Sequence, residues 1–446
     1  MNFRYLAESV DLSVLKENED ILVLFNTLPY QRNDYAFTSM IVKDKNFVLK
    51  RQDGTIVPYE IMNEVKATSH DIEYYNGMEN FHDAGEVLEG TKFKVQIKIA
   101  ASFLPPMGYE VLKVCFHERT SKRPEGDVVI LKNGAENKYL VMHIQEDGTL
   151  SVTNKQTQET YHQLNTFVEK GDDGDEYNYS PCIDDTEIRI NDIHPMITCI
   201  ESSSIEVKYR LEYQIQVPEK VVDHHRVQAL KPLKICSDVS LKANSQTIDF
   251  VTKINNHSCD HIVRVCFEDI YKAAENCSQD QFGTIIRQNV IKNQKSLKDG
   301  ATEYVLPIYA MQRFVKLDHQ KSIMAVLSKG PLEYEIENNQ KICLTLLRSV
   351  GIFGKADLLI RPGRSSGYRM DAPSSQLLNQ TITSEYSLFF GTKEQMSKMI
   401  QTAEVINTPV QTRYLNDISR RENLKLDWSY SCLLYTSPSP RDTERS

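Results

Sequence analysis

The sequence predicts a mainly β protein, with a small β-sandwich over residues 19–116 and a larger antiparallel β architecture over residues 136–431. Three observations predict it. Apolar residues recur with period two through most of the chain, as in strands with one buried face. Asp-Gly pairs fall between such runs, where they read as hairpin turns. Only residues 392–408 carry a convincing helical stripe.

Taken in order, residues 21–30, ILVLFNTLPY, form an extended run closed by a Pro-Tyr turn. In NFVLKRQDGTIVPYEI, Asp53-Gly54 separates two extended runs and predicts a hairpin. Phe93, Val95, Ile97 and Ile99 alternate with Lys94, Gln96 and Lys98, which predicts a half-buried strand. FLPPMGYEVLKV places a Pro pair before a further alternation. Residues 117–135, with SKRPEG and Asn133-Gly134, read as a linker and turn.

The second block opens with LVMHIQEDGTLSVTN, a hairpin about Asp147-Gly148. The clearest strand follows: Ile205, Val207, Tyr209, Leu211, Tyr213, Ile215 and Val217 share one face, a length suited to a large sheet. Ile248, Phe250, Thr252 and Ile254 continue the pattern, as do Val263 and Val265. In the helical segment Met396, Met399, Ile400, Ala403 and Ile406 make the apolar stripe.

Both ends differ from the body. Residues 1–18 have weak helical periodicity at Leu6, Val10, Leu12 and Leu15, and are expected to be the end of a helical bundle. Residues 432–442, CLLYTSPSPRD, resemble the translated transposon adapter of short-read sequencing libraries. Residues 432–446 are therefore expected to be foreign to the natural protein, whose gene is expected to continue past Ser431.

Composition excludes several classes. With 61 acidic against 52 basic residues and no long Lys/Arg run, the chain does not read as a nucleic-acid binder. The 22 Tyr and 16 Phe supply enough burial to exclude disorder. No apolar run is long enough to span a bilayer and no leader pattern opens the chain, so no membrane partner is expected. Nine scattered cysteines without a CxxC pair read as reduced thiols of a cytoplasmic protein. No P-loop, GxSxG elbow or HExxH motif is present.

Four segments carry candidate chemistry. His257, Cys259 and His261 in HSCDH would share one face of a strand and could hold zinc, or else form a polar turn between strands. Asp223-His224-His225 reads as an exposed loop or a metal pair. GDDGDEYNYSP, residues 171–181, sets Asp172, Asp173, Asp175 and Glu176 beside Tyr177 and Tyr179. That suits a sugar, whose hydroxyls bond carboxylates and whose C–H faces pack on aromatic rings, and equally a solvated acidic turn with its tyrosines in the core. RPGRSSGYR offers Arg361, Arg364 and Arg369 to an anion or anionic sugar, or is a surface turn.

The ordered set EDGTLSVTNKQTQETY, GDDGDEYNYSP and LLRSVGIFGKADLLIRPGRSSG, with FLPPMGYEVLKV and KGPLEYEIENNQKICLTLLRSVG, resembles the C-terminal half of bacterial glycoside hydrolase family 38. That family comprises α-mannosidases and mannosylglycerate hydrolases. The resemblance implies a galactose-mutarotase-like supersandwich for residues 136–431. It implies a parent enzyme with zinc, a retaining mechanism and an α-mannoside substrate. The family's zinc ligands and catalytic aspartates lie in an N-terminal catalytic domain that nothing here matches. This chain is therefore expected to hold no catalytic residue and no metal, to be inactive alone, and to need that missing domain as its partner.

Asp175-Glu176-Tyr177 resembles the Gly-Ala-Tyr motif of related animal mannosidases, which makes Tyr177 the expected substrate contact. Asp175 would bond a hydroxyl or fix the loop. The family's late Arg-Gly segment is matched by Arg364, with Arg361 as rival. Two alternatives stand beside this reading: a stand-alone carbohydrate-binding module, and an aldose epimerase using His143 or His194 as base. Self-association, as a homo-oligomer, is left open.

Overall fold

In the computed structural model, which describes residues 19–68, 92–118, 124–291, 300–415 and 429–431, the period-two runs are strands. They divide into two units, Met1–Glu125 with Thr408–Ser446, and Gly126–Asn407. The expected helix over residues 2–17 and the tail from Cys432 lie outside the described residues. Among the described residues no helix is long and apolar enough to cross a membrane.

The first unit is a sandwich. One sheet runs Gln411–Leu415, Glu19–Asn26, Gly108–Phe116, Phe47–Lys50 and Ile56–Val57, with Ser429–Ser431 also paired to Gly108–Phe116. The facing sheet is Arg32–Val42, Phe93–Leu104 and Tyr59–Lys66. Alternate residues of both meet between them: Leu22 and Leu24, Met40 and Val42, Val95, Ile97 and Ile99, Leu112 and Val114. The Pro105-Pro106 pair passes the chain from one sheet to the other, as residues lacking a backbone donor suit a break in pairing.

The sequence reading carries the second block to residue 431, yet Gln411–Leu415 pairs with Ile21–Phe25 in the first unit. Its alternation buries Tyr414 and leaves Arg413 half-buried, so it joins a sandwich most of whose strands lie hundreds of residues earlier. Within the segment read as linker, Val129–Leu131 and Gly134–Glu136 are short strands of the second unit.

In the second unit every strand pair among the described residues is antiparallel. A nine-stranded sheet runs Met196–Ser202, Glu206–Pro218, Leu230–Lys242, Thr247–Asn256, Gln380–Thr392, Ser322–Lys329, Phe314–Leu317, Glu275–Asp280 and Gly283–Gln288. One core joins it to a six-stranded sheet around His261–Glu268 and a five-stranded sheet around Leu150–Asn154. From Glu206–Pro218, Val207, Tyr209, Leu211, Tyr213 and Val217 point into that core as predicted. Gly148 makes the predicted hairpin turn at φ +76°, and a Cβ there would stand 2.0 Å from the Tyr213 hydroxyl. Only glycine satisfies both demands.

The predicted helix is Met396–Asn407, opened by a capping box between Thr392 and Gln395. Met399 and Ala403 pack on the other face of the nine-stranded sheet, against Phe314, Ile323, Ala325, Leu327 and Phe389. Ser322–Lys329 is therefore buried on both faces, which explains the continuous apolar run IMAVL within it.

A charge pair between two adjacent strands, Lys242 and Asp249, couples this unit to pH. Burial alone would raise the Asp249 carboxyl; the Lys242 ammonium 2.8 Å away, with hydrogen bonds from Lys242, Ser387 and Thr247, outweighs it and holds the group below the ordinary value. A depressed carboxylate stabilises the fold above its unfolded pKa and loses that contribution as pH falls through the folded one. Thermal melts between neutral pH and about pH 3 should show Asp249→Asn losing less stability on acidification than the parent chain. Equal slopes would refute the assignment.

Candidate functional site

The acidic loop leaves the strand Thr166–Gly171 and returns across the ends of His261–Glu268 and Lys341–Ser349. Its three aspartates are buried, and each meets a cation. Asp172 accepts Arg348 Nε at 2.6 Å and the backbone N–H groups of Gly174 and Ser180. Burial still raises its carboxyl above the ordinary value, against the pull of Arg348. Asp173 takes Lys355 Nζ at 2.5 Å on one oxygen and faces His224 Nδ1 at 2.5 Å on the other.

Asp175 has 0% exposure. Its Oδ1 accepts the N–H groups of Tyr177 and Asn178, and its Oδ2 accepts Arg361 Nη2 at 2.9 Å and Lys355 N at 3.2 Å. Both oxygens are thus committed, the geometry of a loop anchor. Gly174 is required beside it, because a Cβ would stand 2.0 Å from the Asn178 carbonyl oxygen and 2.7 Å from Arg348 Nη2. Arg348 Nη2 in turn donates to the carbonyls of Asp175 and Asn178 at 2.7 Å each.

This arrangement departs from both readings of the segment in its acids, while Tyr177 is exposed as the sugar-contact reading expects. The acids are inside and Tyr177 is outside, 61% exposed. The Tyr177 ring stands edge-on to Phe353, centroids 5.5 Å apart. The N–H of Glu176 is pinned to Ile352 O. Tyr179 turns back, half-buried, under the Arg264 guanidinium at 5.8 Å. Beside Tyr177 opens a cavity of about 490 Å³, walled among others by Glu176, Tyr179, Glu303, Tyr304 and Arg348. That volume is in the range of small-molecule sites, and its mix of rings and carboxylates suits a polyhydroxylated ligand.

The arginine segment separates into two roles. Arg361 is 3% exposed and pairs with Asp175. Arg364 and Arg369 are exposed on the turn beyond, with Tyr368 97% exposed between them. The two segments join where Ser366 Oγ reaches Asp175 Oδ2 at 3.4 Å.

The histidine motifs resolve otherwise. HSCDH is the polar turn between Thr247–Asn256 and His261–Glu268. His257 bonds Asn379, while His261 is buried between Glu169 Oε1 at 3.1 Å and Asn256 Oδ1 at 2.9 Å. Asp223 and His224 form the left-handed turn of a hairpin, at φ +48° and +65°, and that turn carries His224 onto Asp173. His143 and His194 are exposed. Zinc needs several converging donors free of other partners. His257 and His261 diverge, the loop aspartates are taken by Lys and Arg, and among the described residues no group of three or more His, Cys, Asp or Glu could hold a metal ion. These donors do not fit a zinc centre.

Sequence reasoning misses three participants, Arg348, Lys355 and Glu169, and it offers His224 and His261 as metal or turn residues without their carboxylate partners Asp173 and Glu169. Arg348 and Lys355 lie within the segment LLRSVGIFGK, but no spacing rule ties them to aspartates more than 170 residues earlier.

Comparisons with known proteins converge on one family. Residues 135–351 match the family described as Glycosyl hydrolases family 38 C-terminal domain. A curated relative, the "Putative mannosylglycerate hydrolase" of Halalkalibacterium halodurans, is 25% identical over 246 residues, 52% of this chain and 27% of that protein. An alpha-mannosidase from Enterococcus faecalis has the same fold, with TM-score 0.78 and 20% identity over 96% of this chain and 49% of that one. So has a protein in the Glycosyl Hydrolase Family 38 from the same species, with TM-score 0.77 and 21% identity over 96% of this chain and 50% of the other. The chain thus spans about a quarter of the curated relative, and about half of each solved chain.

Proposed function

The chain carries a glycosyl hydrolase family 38 C-terminal domain, and on that premise we propose that it forms the substrate-facing β wall of an α-mannosidase-type retaining glycosidase whose cleaving residues lie in another part of the parent protein. One observation carries this reading: the loop's buried aspartates are each paired with a cation, Arg348, Lys355 or Arg361, and the Tyr177 ring is left outside.

Retaining hydrolysis needs two carboxyl groups about 5 Å apart, one as nucleophile and one as acid and base. A carboxylate already neutralised by Arg348, Lys355 or Arg361 is a weak nucleophile and is turned away from solvent. Those groups instead hold the loop rigid, so that Tyr177 meets a sugar face without losing conformational freedom at that moment. Arg364, exposed on the neighbouring turn, is the second proposed contact, and Asp175 and Arg361 act as positioning residues beneath both. Zinc in the parent enzyme would supply a template for sugar hydroxyls; among the described residues of this chain no donor set fits it.

The purified chain, with zinc added, is expected to release no nitrophenol from an aryl α-mannoside. Joined to the N-terminal half of a family 38 relative, the same chain is expected to support turnover. Tyr177→Ala in that hybrid should lower kcat/KM by about 10- to 100-fold, the loss of one stacking contact plus its positioning, with an unchanged melting temperature. Turnover by the chain alone would sink the reading. A second reading, a free-standing carbohydrate-binding module, is favoured by the exposed rings of Tyr177 and Tyr368. It expects the chain alone to bind mannosides by calorimetry.

A further inference from the structure

Cys266 and Cys343 stand directly opposite each other on His261–Glu268 and Lys341–Ser349, two central strands of the six-stranded sheet. Residues opposed in this way project from the same face. Both cysteines have 0% exposure, and Val168 on the next strand packs against them. Their Sγ atoms are 2.6 Å apart. Non-bonded heavy atoms settle about 3.5–4.0 Å apart, so the backbone brings these two sulfurs inside ordinary contact.

We propose that Cys266 and Cys343 close as a cross-strand disulfide when the chain folds in the presence of an oxidised low-molecular-weight thiol such as glutathione disulfide. One cysteine thiolate attacks glutathione disulfide, forming a protein–glutathione mixed disulfide and releasing one glutathione. The second thiolate attacks the protein sulfur of that bond and releases the second glutathione. Two thiols are oxidised, one glutathione disulfide is reduced, and the two protons pass to solvent or to the released thiolates.

The reaction belongs to folding, before the strands close. Once buried, the Cys343 thiol is pushed well above its ordinary pKa by loss of water and by Cys266, and so is inert toward dissolved disulfides. The bond joins the strand that carries Arg348, Lys341–Ser349, to the strand that begins at His261, so it secures the platform on which the acidic loop rests. It closes a loop with a separation of 77 residues, long enough for a crosslink to restrict the unfolded chain strongly.

The test synthesises the full chain in a cell-free system buffered with oxidised glutathione and, in parallel, with dithiothreitol. Folded protein is unfolded in N-ethylmaleimide, digested and mapped by mass spectrometry. The oxidised sample should yield one crosslinked peptide pair holding Cys266 and Cys343, and seven labelled cysteines of the nine in the sequence. Its melting midpoint should exceed that of the reduced sample by roughly 10 °C. The double variant Cys266→Ala, Cys343→Ala should lose this redox-dependent shift. Nine labelled cysteines in the folded oxidised chain, a bond between any other pair, or a shift that persists in the double variant would each overturn the proposal. The peptide map of the parent chain decides the matter even if the double variant does not fold.

Discussion

Replacing Asp175 with alanine is expected to destabilise the unit of residues 126–407 by about 3–5 kcal/mol, the cost of breaking a buried ion pair from one side. Asp175 and Arg361 are both buried, with Nη2 and Oδ2 2.9 Å apart. Without the carboxylate, Arg361 keeps its charge away from water, and its Nε already lacks a hydrogen-bond partner. The N–H groups of Tyr177 and Asn178 lose their acceptor in the same step. Urea unfolding followed by circular dichroism measures the loss. The double variant Asp175→Ala, Arg361→Met should recover much of it, because no orphaned charge remains; the coupling read from the four proteins isolates the pair. If Asp175→Ala costs less than about 1 kcal/mol, the pair is solvated and the loop is not anchored as described.

Phe250→Ala is expected to cost a similar amount, about 3–5 kcal/mol, by a different mechanism. Phe250 is 1% exposed at the centre of the nine-stranded sheet. Its ring stacks on Tyr386 at 5.0 Å and 14°, and meets Phe267 of the facing sheet at 5.9 Å. Removing it leaves a cavity that rigid strands on both sides cannot collapse into. The loss should be insensitive to salt, because no charge is involved. Were Phe250→Ala to unfold at the same urea concentration as the parent chain, the two sheets would not share the core assigned to them.

The two substitutions mark the boundary of what was legible from residues alone. Phe250 was assigned to a buried face from its place in Ile248, Phe250, Thr252 and Ile254, and the strand Thr247–Asn256 bears this out. The hairpin at Asp147-Gly148, the long strand at Glu206–Pro218 and the helix at Met396–Asn407 were legible in the same way. Each follows from neighbours within a few residues, through side-chain alternation, turn chemistry or helical spacing.

From residues alone Asp175 is either a hydroxyl contact or a loop anchor, because its cation sits 186 residues away in sequence. The choice between Arg361 as anchor and Arg364 as exposed contact has the same origin, as does the pairing of Gln411–Leu415 with Ile21–Phe25. The sequence by itself determined a β-rich chain, its hairpins, the helix at Met396–Asn407 and the residues from which a site could be built. Only the tertiary structure decided which acids are buried and which ring is left facing out. The physical reason is that strand and turn propensities are local properties of the chain, whereas burying a charge depends on a partner that folding brings from far along it.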